Sequence, residues 1–280
     1  MILNCKKELN INDYLTKYEG LNYNKVQALF RKKDIKVNNK KVDKDYLLTL
    51  NDEIRIFTPL NYFYDIKTIY EDDNIIIVDK PKKLEVISET RNVSLINLIN
   101  SSYFAVHRLD FNTEGLVVIA KNLNSKTELD NAFKNGQVEK KYVTICKNCP
   151  NKNEMTFVDY LIKGDSKVKI VKNEGKNSKQ IVTIINLLEK SKNYSLLNVT
   201  LKTGRTHQIR AHLAFHNLFV LGDDKYGDFN ENKKLNLKSQ ILKCYYLKFN
   251  FLESSKLSYL NNLTFETSFE NIKTYFESLT

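Results

Sequence analysis

Five short apolar runs constrain this chain more than any other feature: NIIIV at 74–78, GLVVIAK at 115–121, KKYVTICKN at 140–148, QIVTIINLLEK at 180–190 and YSLLNVTLKT at 194–203. Each is of strand length and rich in β-branched residues, and NIIIV and GLVVIAK lack the polar alternation of a half-exposed strand, so they read as buried. Helical patterns are fewer. SLINLINS reads as a short amphipathic helix, SKTELDNAFKNGQV as a helix stopped near Gly136, and the closing LTFETSFENIKTYFESL as a strand and a terminal helix. Strands outnumber helices and do not alternate with them regularly. That predicts an α+β fold with a largely antiparallel or mixed central β-sheet flanked by helices, not a doubly wound parallel one.

The first 57 residues read as a separate compact module. Leu9, Ile11, Tyr14 and Leu15, then Val26, Leu29 and Phe30, have helical spacing, and IKVNNKKV with the later NDEIRIF alternates like paired strands around an Asn-Asn turn. Between Lys25 and Lys44 there are eight Lys or Arg against two Asp. Such a local excess is either a solvated face or the footprint of a polyanion partner, and the chain's net charge of +11 favours the polyanion. TPLNYFYD, with a Pro and no periodicity, marks a linker over 58–65, and a larger domain follows over 66–280. At 280 residues the chain buries about three quarters of its unfolded surface, enough for a real core.

No apolar run approaches the roughly 20 residues of a membrane span, and the start, MILNCKKELN, lacks the apolar core of a signal peptide. The expected address is the cytosol, without a membrane partner. Cys5, Cys146, Cys149 and Cys244 are then expected as free thiols.

Lys is the default cation here, because only six of the 44 Lys and Arg are Arg. Arg is expected to persist where its planar fork matters, since a guanidinium can pair bidentately and an ammonium cannot. Arg108, Arg205 and Arg210 fall in two windows, HRLDFNTEGLVVIAKN at 107–122 and LKTGRTHQIRAHLAFHNLFVLGDDKYGD at 201–228, together with all four His and half of the 8 Gly. In the first, Asp110 precedes a buried strand and reads as a surface charge, a turn-forming residue or a nucleophile. In the second, Thr206 is expected to begin a helix with Ile209, Leu213 and Phe215 facing inward. Arg205 then sits at a strand-to-helix corner, able to orient a carboxylate.

The two windows, with EKKYVTI and the earlier IIIVDKP, resemble the RluA-type pseudouridine synthase family over about residues 66–280, and the N-terminal module resembles the small RNA-binding domain first known from ribosomal protein S-four. The resemblance implies a pseudouridine synthase fold and an isomerase that converts RNA uridines to pseudouridine without metal or cofactor. It implies that Asp110 is the catalytic aspartate, that Tyr142 stacks on the uracil, that Arg205 forms an ion pair with Asp110, and that Ile209 packs beneath the base. Arg108 would enter the RNA where the flipped nucleotide had been. His107, Thr113 and Lys80, within the same motifs, are the further substrate-binding candidates. Arg31, Lys32, Lys33, Lys36, Lys40 and Lys41 would grip RNA backbone. The family's Thr-Ser-Gly is Thr113-Glu114-Gly115 here, and the Gly that follows its Lys-Pro-x is Lys83. The expected partner is RNA, ribosomal RNA of the large subunit before transfer RNA, and the expected state a monomer.

The chemistry suits these roles. Isomerisation breaks the bond from sugar to ring nitrogen, rotates the uracil and rejoins it through carbon. A carboxylate can add to the sugar, attack the ring or assist glycal formation, and a nearby guanidinium favours its ionised form. Two rival readings are a non-catalytic RNA-binding protein and a His-dependent metal hydrolase. His212 and His216 have ligand spacing, but a zincin needs Glu where Leu213 stands. Cys146 and Cys149 form a lone CxxC, read as idle thiols before a redox or zinc site.

Overall fold

A computed structural model describes residues 1–59 and 63–279, so positions 60–62 of the expected linker lie outside the described residues. The N-terminal segment runs through β1 (Ile2–Asn4), α1 (Ile11–Asp13) with a wider helical turn over Tyr14–Tyr18, α2 (Tyr23–Lys32), β2 (Ile35–Val37), β3 (Lys40–Lys41) and β4 (Glu53–Ile56). Asn22 caps α2 by accepting from the Lys25 amide, and Lys33 ends it in the left-handed region at φ 53°. The strands form an antiparallel sheet in the order β1-β4-β2-β3. Asn38 and Asn39 join β2 to β3 with φ of 46° and 65°. Two consecutive positive φ values match the right-handed twist of a hairpin, and Asn tolerates them.

The larger sheet contains β5 (Lys67–Glu71), β6 (Ile75–Lys80), β7 (Phe104–Ala105), β8 (Glu114–Ala120), β9 (Val138–Lys147), β10 (Glu154–Lys163), β11 (Val168–Val171), β12 (Ser178–Lys190), β13 (Tyr194–Leu201), β14 (Phe219–Val220), β15 (Leu242–Phe249) and β16 (Thr264–Glu266). Its main path is β11-β10-β12-β13-β9-β15-β8-β6-β5, with β14 added to β9, β16 to β15 and β7 to β8. The helices are α3 (Leu95–Ile99), α4 (Leu123–Lys134), α5 (Gln208–Phe215), α6 (Phe229–Lys234) and α7 (Glu270–Glu277). Every pairing is antiparallel except β15 with β8, so the sheet is mixed, as the strand pattern predicts, and the parallel pair lies in its middle.

That parallel junction aligns the motifs. Lys80 of β6 pairs with Gly115 of β8, Gly115 with Cys244 of β15, and Cys244 with Tyr142 of β9, one continuous row across four strands. Gly115 has φ 117°, and a Cβ there would lie 2.1 Å from the Cys244 carbonyl oxygen. Only a glycine fits.

β6 and β8 are buried almost throughout, which accounts for their unbroken apolar runs. One apolar cluster extends from Leu3, Leu15 and Ile56 of the small sheet through Phe63 and Tyr64 to Val78, Val117 and Phe249 of the large one. On α5, Ile209 and Leu213 are buried as expected, but Phe215 is 40% exposed. The helix begins at Gln208, two residues later than expected, because His207 takes a left-handed φ of 54°. The four cysteines are free thiols. Among the described residues, no helix is long and apolar enough to cross a membrane.

Candidate active site

The loop from His107 to Thr113 links β7 to β8 and is pinned at both ends. The Val118 amide donates to His107 Nε2 at 3.0 Å, and the ring stacks on Phe133 at 4.7 Å between centroids. Burial, with Lys140 nearby, holds the imidazole down to about 3, so it is neutral. At the far end the Thr113 amide donates to the Asp110 carbonyl at 2.9 Å. Asp110 is thus presented at the mouth of a buried strand on a backbone turn.

Its carboxylate meets Arg210, not Arg205. Arg210 Nη1 donates to Asp110 Oδ2 at 3.0 Å. The guanidinium is nearly buried and is gripped from behind by Asp223, with Nε to Oδ2 at 2.6 Å and Nη2 to Oδ1 at 2.7 Å. Desolvation works against the charge on Arg210, but these hydrogen bonds outweigh it and raise the pKa further. Asp223 is itself held by the Lys225 and Tyr226 amides at 2.8 and 3.1 Å. Among the described residues nothing donates to Asp110 Oδ1, so one carboxylate oxygen is occupied and the other is open.

Arg205, expected to make this ion pair, is exposed and makes none among the described residues. Gln208 Oε1 accepts from the Arg205 amide and the Thr203 hydroxyl, which fixes the corner backbone, and the exposed Arg205 lines the pocket without pairing with Asp110. Arg210 is on the first turn of α5, where its buried side chain reaches Asp223. Both Arg lie in the same window, and the scarcity of Arg was the available signal for each.

A narrow pocket beside Asp110 is lined by Tyr142, Ile209, Leu201, Leu242, Thr113 and Arg205. Tyr142 is 5% exposed, and burial beside Cys244 raises its phenol well above the usual value, so it is protonated. Thr113 is buried and accepts from Gln240 Nε2 at 3.1 Å. Leu201, Leu242 and Gln240 were not foreseen; each is an ordinary residue on or beside a strand and becomes part of the site only when the sheet assembles. Two wider grooves flank the pocket, of about 640 and 480 Å³, and exposed Arg108 lines the pocket and both grooves.

Lys80 does not reach this space. It is fully buried and donates to the carbonyls of Pro81 at 2.9 Å and Leu84 at 2.7 Å, and burial lowers its pKa to about 7. It braces the following loop from the same row that holds Tyr142. In that loop Lys83, where the resemblance expects a glycine, adopts a left-handed φ of 61°. His107 likewise supports the loop, while contributing to the 480 Å³ groove.

His207 follows Arg205 and Thr206 at the entrance to α5. Its Nε2 lies 4.0 Å from Asp110 Oδ2 and its Nδ1 3.0 Å from the Tyr226 hydroxyl. Among the described residues the one group of three or more His, Cys or acidic side chains with converging ligand atoms is Asp159, His212 and His216. Asp159 Oδ2 accepts from His212 Nε2 at 3.0 Å and His216 Nε2 at 2.7 Å, hydrogen-bond lengths. Of the basic candidates, Arg31, Lys32, Lys33, Lys40 and Lys41 are exposed and Lys36 is half-buried, at the end of α2 and on the β2–β3 hairpin.

The site thus brings together a carboxylate, a buried guanidinium and a Tyr142-lined pocket between two grooves. The sequence profile of the RNA pseudouridylate synthase family matches residues 74–215, and the chain belongs to that family. It is an RNA pseudouridine synthase, an isomerase. Similar proteins include an uncharacterized RNA pseudouridine synthase of Mycoplasma capricolum, 35% identical over 83% of this chain and 84% of the relative. Others are the ribosomal large subunit pseudouridine synthases C of Buchnera aphidicola, 28% identical over 96% and 95%, and of Rickettsia prowazekii, 31% identical over 81% and 84%. The fold is shared with human RNA pseudouridylate synthase domain containing 4, at TM-score 0.59 and 22% identity over 72% of this chain and 88% of that one.

Proposed function

We propose that this protein isomerises uridines of large-subunit ribosomal RNA in the cytosol, acting as a monomer with Asp110 as its catalytic carboxylate. The observation that carries the reading is the Asp110–Arg210 pair, which leaves Oδ1 open beside the pocket of Tyr142 and Ile209. Arg210 keeps a charged partner on Oδ2, and the open oxygen acts on the nucleoside. A protonated Tyr142 offers the uracil a flat face and a hydroxyl. The target leaves its stack at a cost of a few kcal/mol, and Arg108, between the two grooves, fills the space it vacates.

The relatives named for the large ribosomal subunit support ribosomal RNA as the target. The N-terminal segment supplies affinity. Its exposed Arg31, Lys32, Lys33, Lys40 and Lys41, with Lys36, contact phosphates without reading sequence.

The test is chemical mapping of pseudouridine in total RNA from cells with and without the gene, complemented by wild type or Asp110→Asn. Sites in large-subunit RNA that disappear and return only with the wild type are the expected result. Loss confined to transfer RNA would overturn the target, and restoration by Asp110→Asn would overturn the role of Asp110.

A further inference from the structure

The segment from Lys80 to Val93 forms one wall of the larger groove. Glu85, Val86, Ile87, Glu89 and Arg91 line this groove of about 640 Å³ together with Arg108, Asp110, Phe111 and Arg210. This wall has no regular secondary structure between β6 and α3, so packing must hold it. Much of that packing comes from the N-terminal segment.

Glu19, 1% exposed, accepts from the Asn92 side chain at 2.8 Å, the Asn92 amide at 3.1 Å and the Val93 amide at 3.3 Å. The Tyr18 hydroxyl donates to the Thr90 carbonyl at 2.7 Å. Gly20, at φ 81°, is so close that a Cβ there would stand 2.5 Å from the Lys83 carbonyl oxygen and 3.1 Å from the Phe111 ring. The contacts therefore reach the residue next to Asp110.

Arg91 joins the two sides. Its Nε donates to the Tyr18 carbonyl, its Nη1 pairs with Glu85, and its guanidinium lies over the Phe111 ring at 4.1 Å. Phe111 is further tied to the wall by its carbonyl, which accepts from the Leu84 amide at 3.2 Å. We propose that Arg91 is a positioning residue: it transmits the seating of the N-terminal segment to Phe111 and so sets Asp110 for catalysis. This rests on the reading of Asp110 given above. The N-terminal segment is then part of the active-site architecture and not only a tether for RNA. A planar fork is required, because one side chain must donate in two directions while stacking on a ring.

The test uses the full chain carrying Glu19→Gln, Arg91→Lys, Arg91→Ala or both Glu19→Gln and Arg91→Ala, with thermal unfolding as the check on folding. Hydrogen exchange of amides 84–93 and 110–113 needs no RNA. Faster exchange there in Glu19→Gln, with α4 and α5 unchanged, is expected, and unchanged exchange overturns the coupling whatever the target RNA proves to be. With a large-subunit RNA fragment that the wild type modifies, Arg91→Ala is expected to lower kcat on the order of 10- to 100-fold with RNA Kd little changed. Arg91→Lys should not rescue it, and adding Glu19→Gln to Arg91→Ala should lower kcat little further. If Arg91→Ala weakens RNA binding, Arg91→Lys restores it and Glu19→Gln keeps full kcat, Arg91 is a phosphate contact and the proposal fails.

Discussion

Arg210 joins Asp110 to buried Asp223, donating to Asp110 Oδ2 at 3.0 Å through one nitrogen and to both oxygens of Asp223 through two others, with exposed Asp224 Oδ1 a longer 3.3 Å from Nη2. On the proposed role of Asp110, the pair serves stability and chemistry at once. Arg210→Ala leaves Asp223 buried without its partner, a defect of about 3–5 kcal/mol, and urea unfolding should show it. Arg210→Lys keeps the charge but cannot bridge, and kcat should fall by about 10²-fold in a single-turnover assay.

Arg205→Ala is the matched control. The side chain is exposed and makes no ion pair among the described residues, so unfolding free energy should stay within about 0.5 kcal/mol of wild type. Its effect should appear in KM for RNA more than in kcat, since it lines the pocket and the neighbouring groove but does not pair with Asp110. Loss of kcat equal to that of Arg210→Lys would return Arg205 to the centre of the mechanism.

Gly115→Ala should be among the most damaging small substitutions in the chain. It combines φ 117° with a Cβ 2.1 Å from the Cys244 carbonyl oxygen in the central parallel pair. A cost above about 3 kcal/mol is expected. In calorimetry that appears as a Tm lower by roughly 6–12 °C for a domain of this size.

His107 makes stability depend on pH. Burial lowers its folded pKa from 6.5 to about 3, so as pH falls below 6.5 the unfolded chain takes up a proton that the folded one refuses. The contribution is complete above pH 6.5 and is lost progressively down to about pH 3. Allowing for the ring's partial exposure, it amounts to about 1–2 kcal/mol between pH 6.5 and 5. His107→Gln retains an acceptor for the Val118 amide without titrating, and its unfolding free energy should fall less steeply over that interval.

Replacing Lys32, Lys33, Lys40 and Lys41 by Ala should flatten the dependence of RNA affinity on salt, by about 0.7–0.9 in log–log slope for each phosphate the protein no longer neutralises. Filter binding across a salt series measures it, and an unchanged slope would remove these side chains from the interface.

Strand-length apolar runs without helical alternation were enough to predict a mixed α+β sheet, because burial on both faces writes itself into consecutive residues such as Ile75–Val78 and Leu116–Ala120. The Asn38-Asn39 turn was legible for a similar local reason: few residues tolerate two positive φ values. β15 was not legible. A bulge between Cys244 and Tyr246 breaks its alternation, yet it is the strand that makes the parallel junction. The windows holding Asp110, Arg205 and Arg210 could be found from composition, because scarce Arg, His and Gly concentrate there, whereas Tyr142 lies outside them and was marked only by the resemblance of its own motif. Which Arg meets Asp110 depended on three dimensions. Arg205 and Arg210 are five residues apart, but only the second lies where α5 turns its side chain between Asp110 and Asp223. Lys80 shows the same limit: its motif marked it for the substrate, and a register row deep in the sheet made it a buried brace. Local preference is written along the chain; the partner of a long polar side chain is set by which distant residues the fold brings within reach.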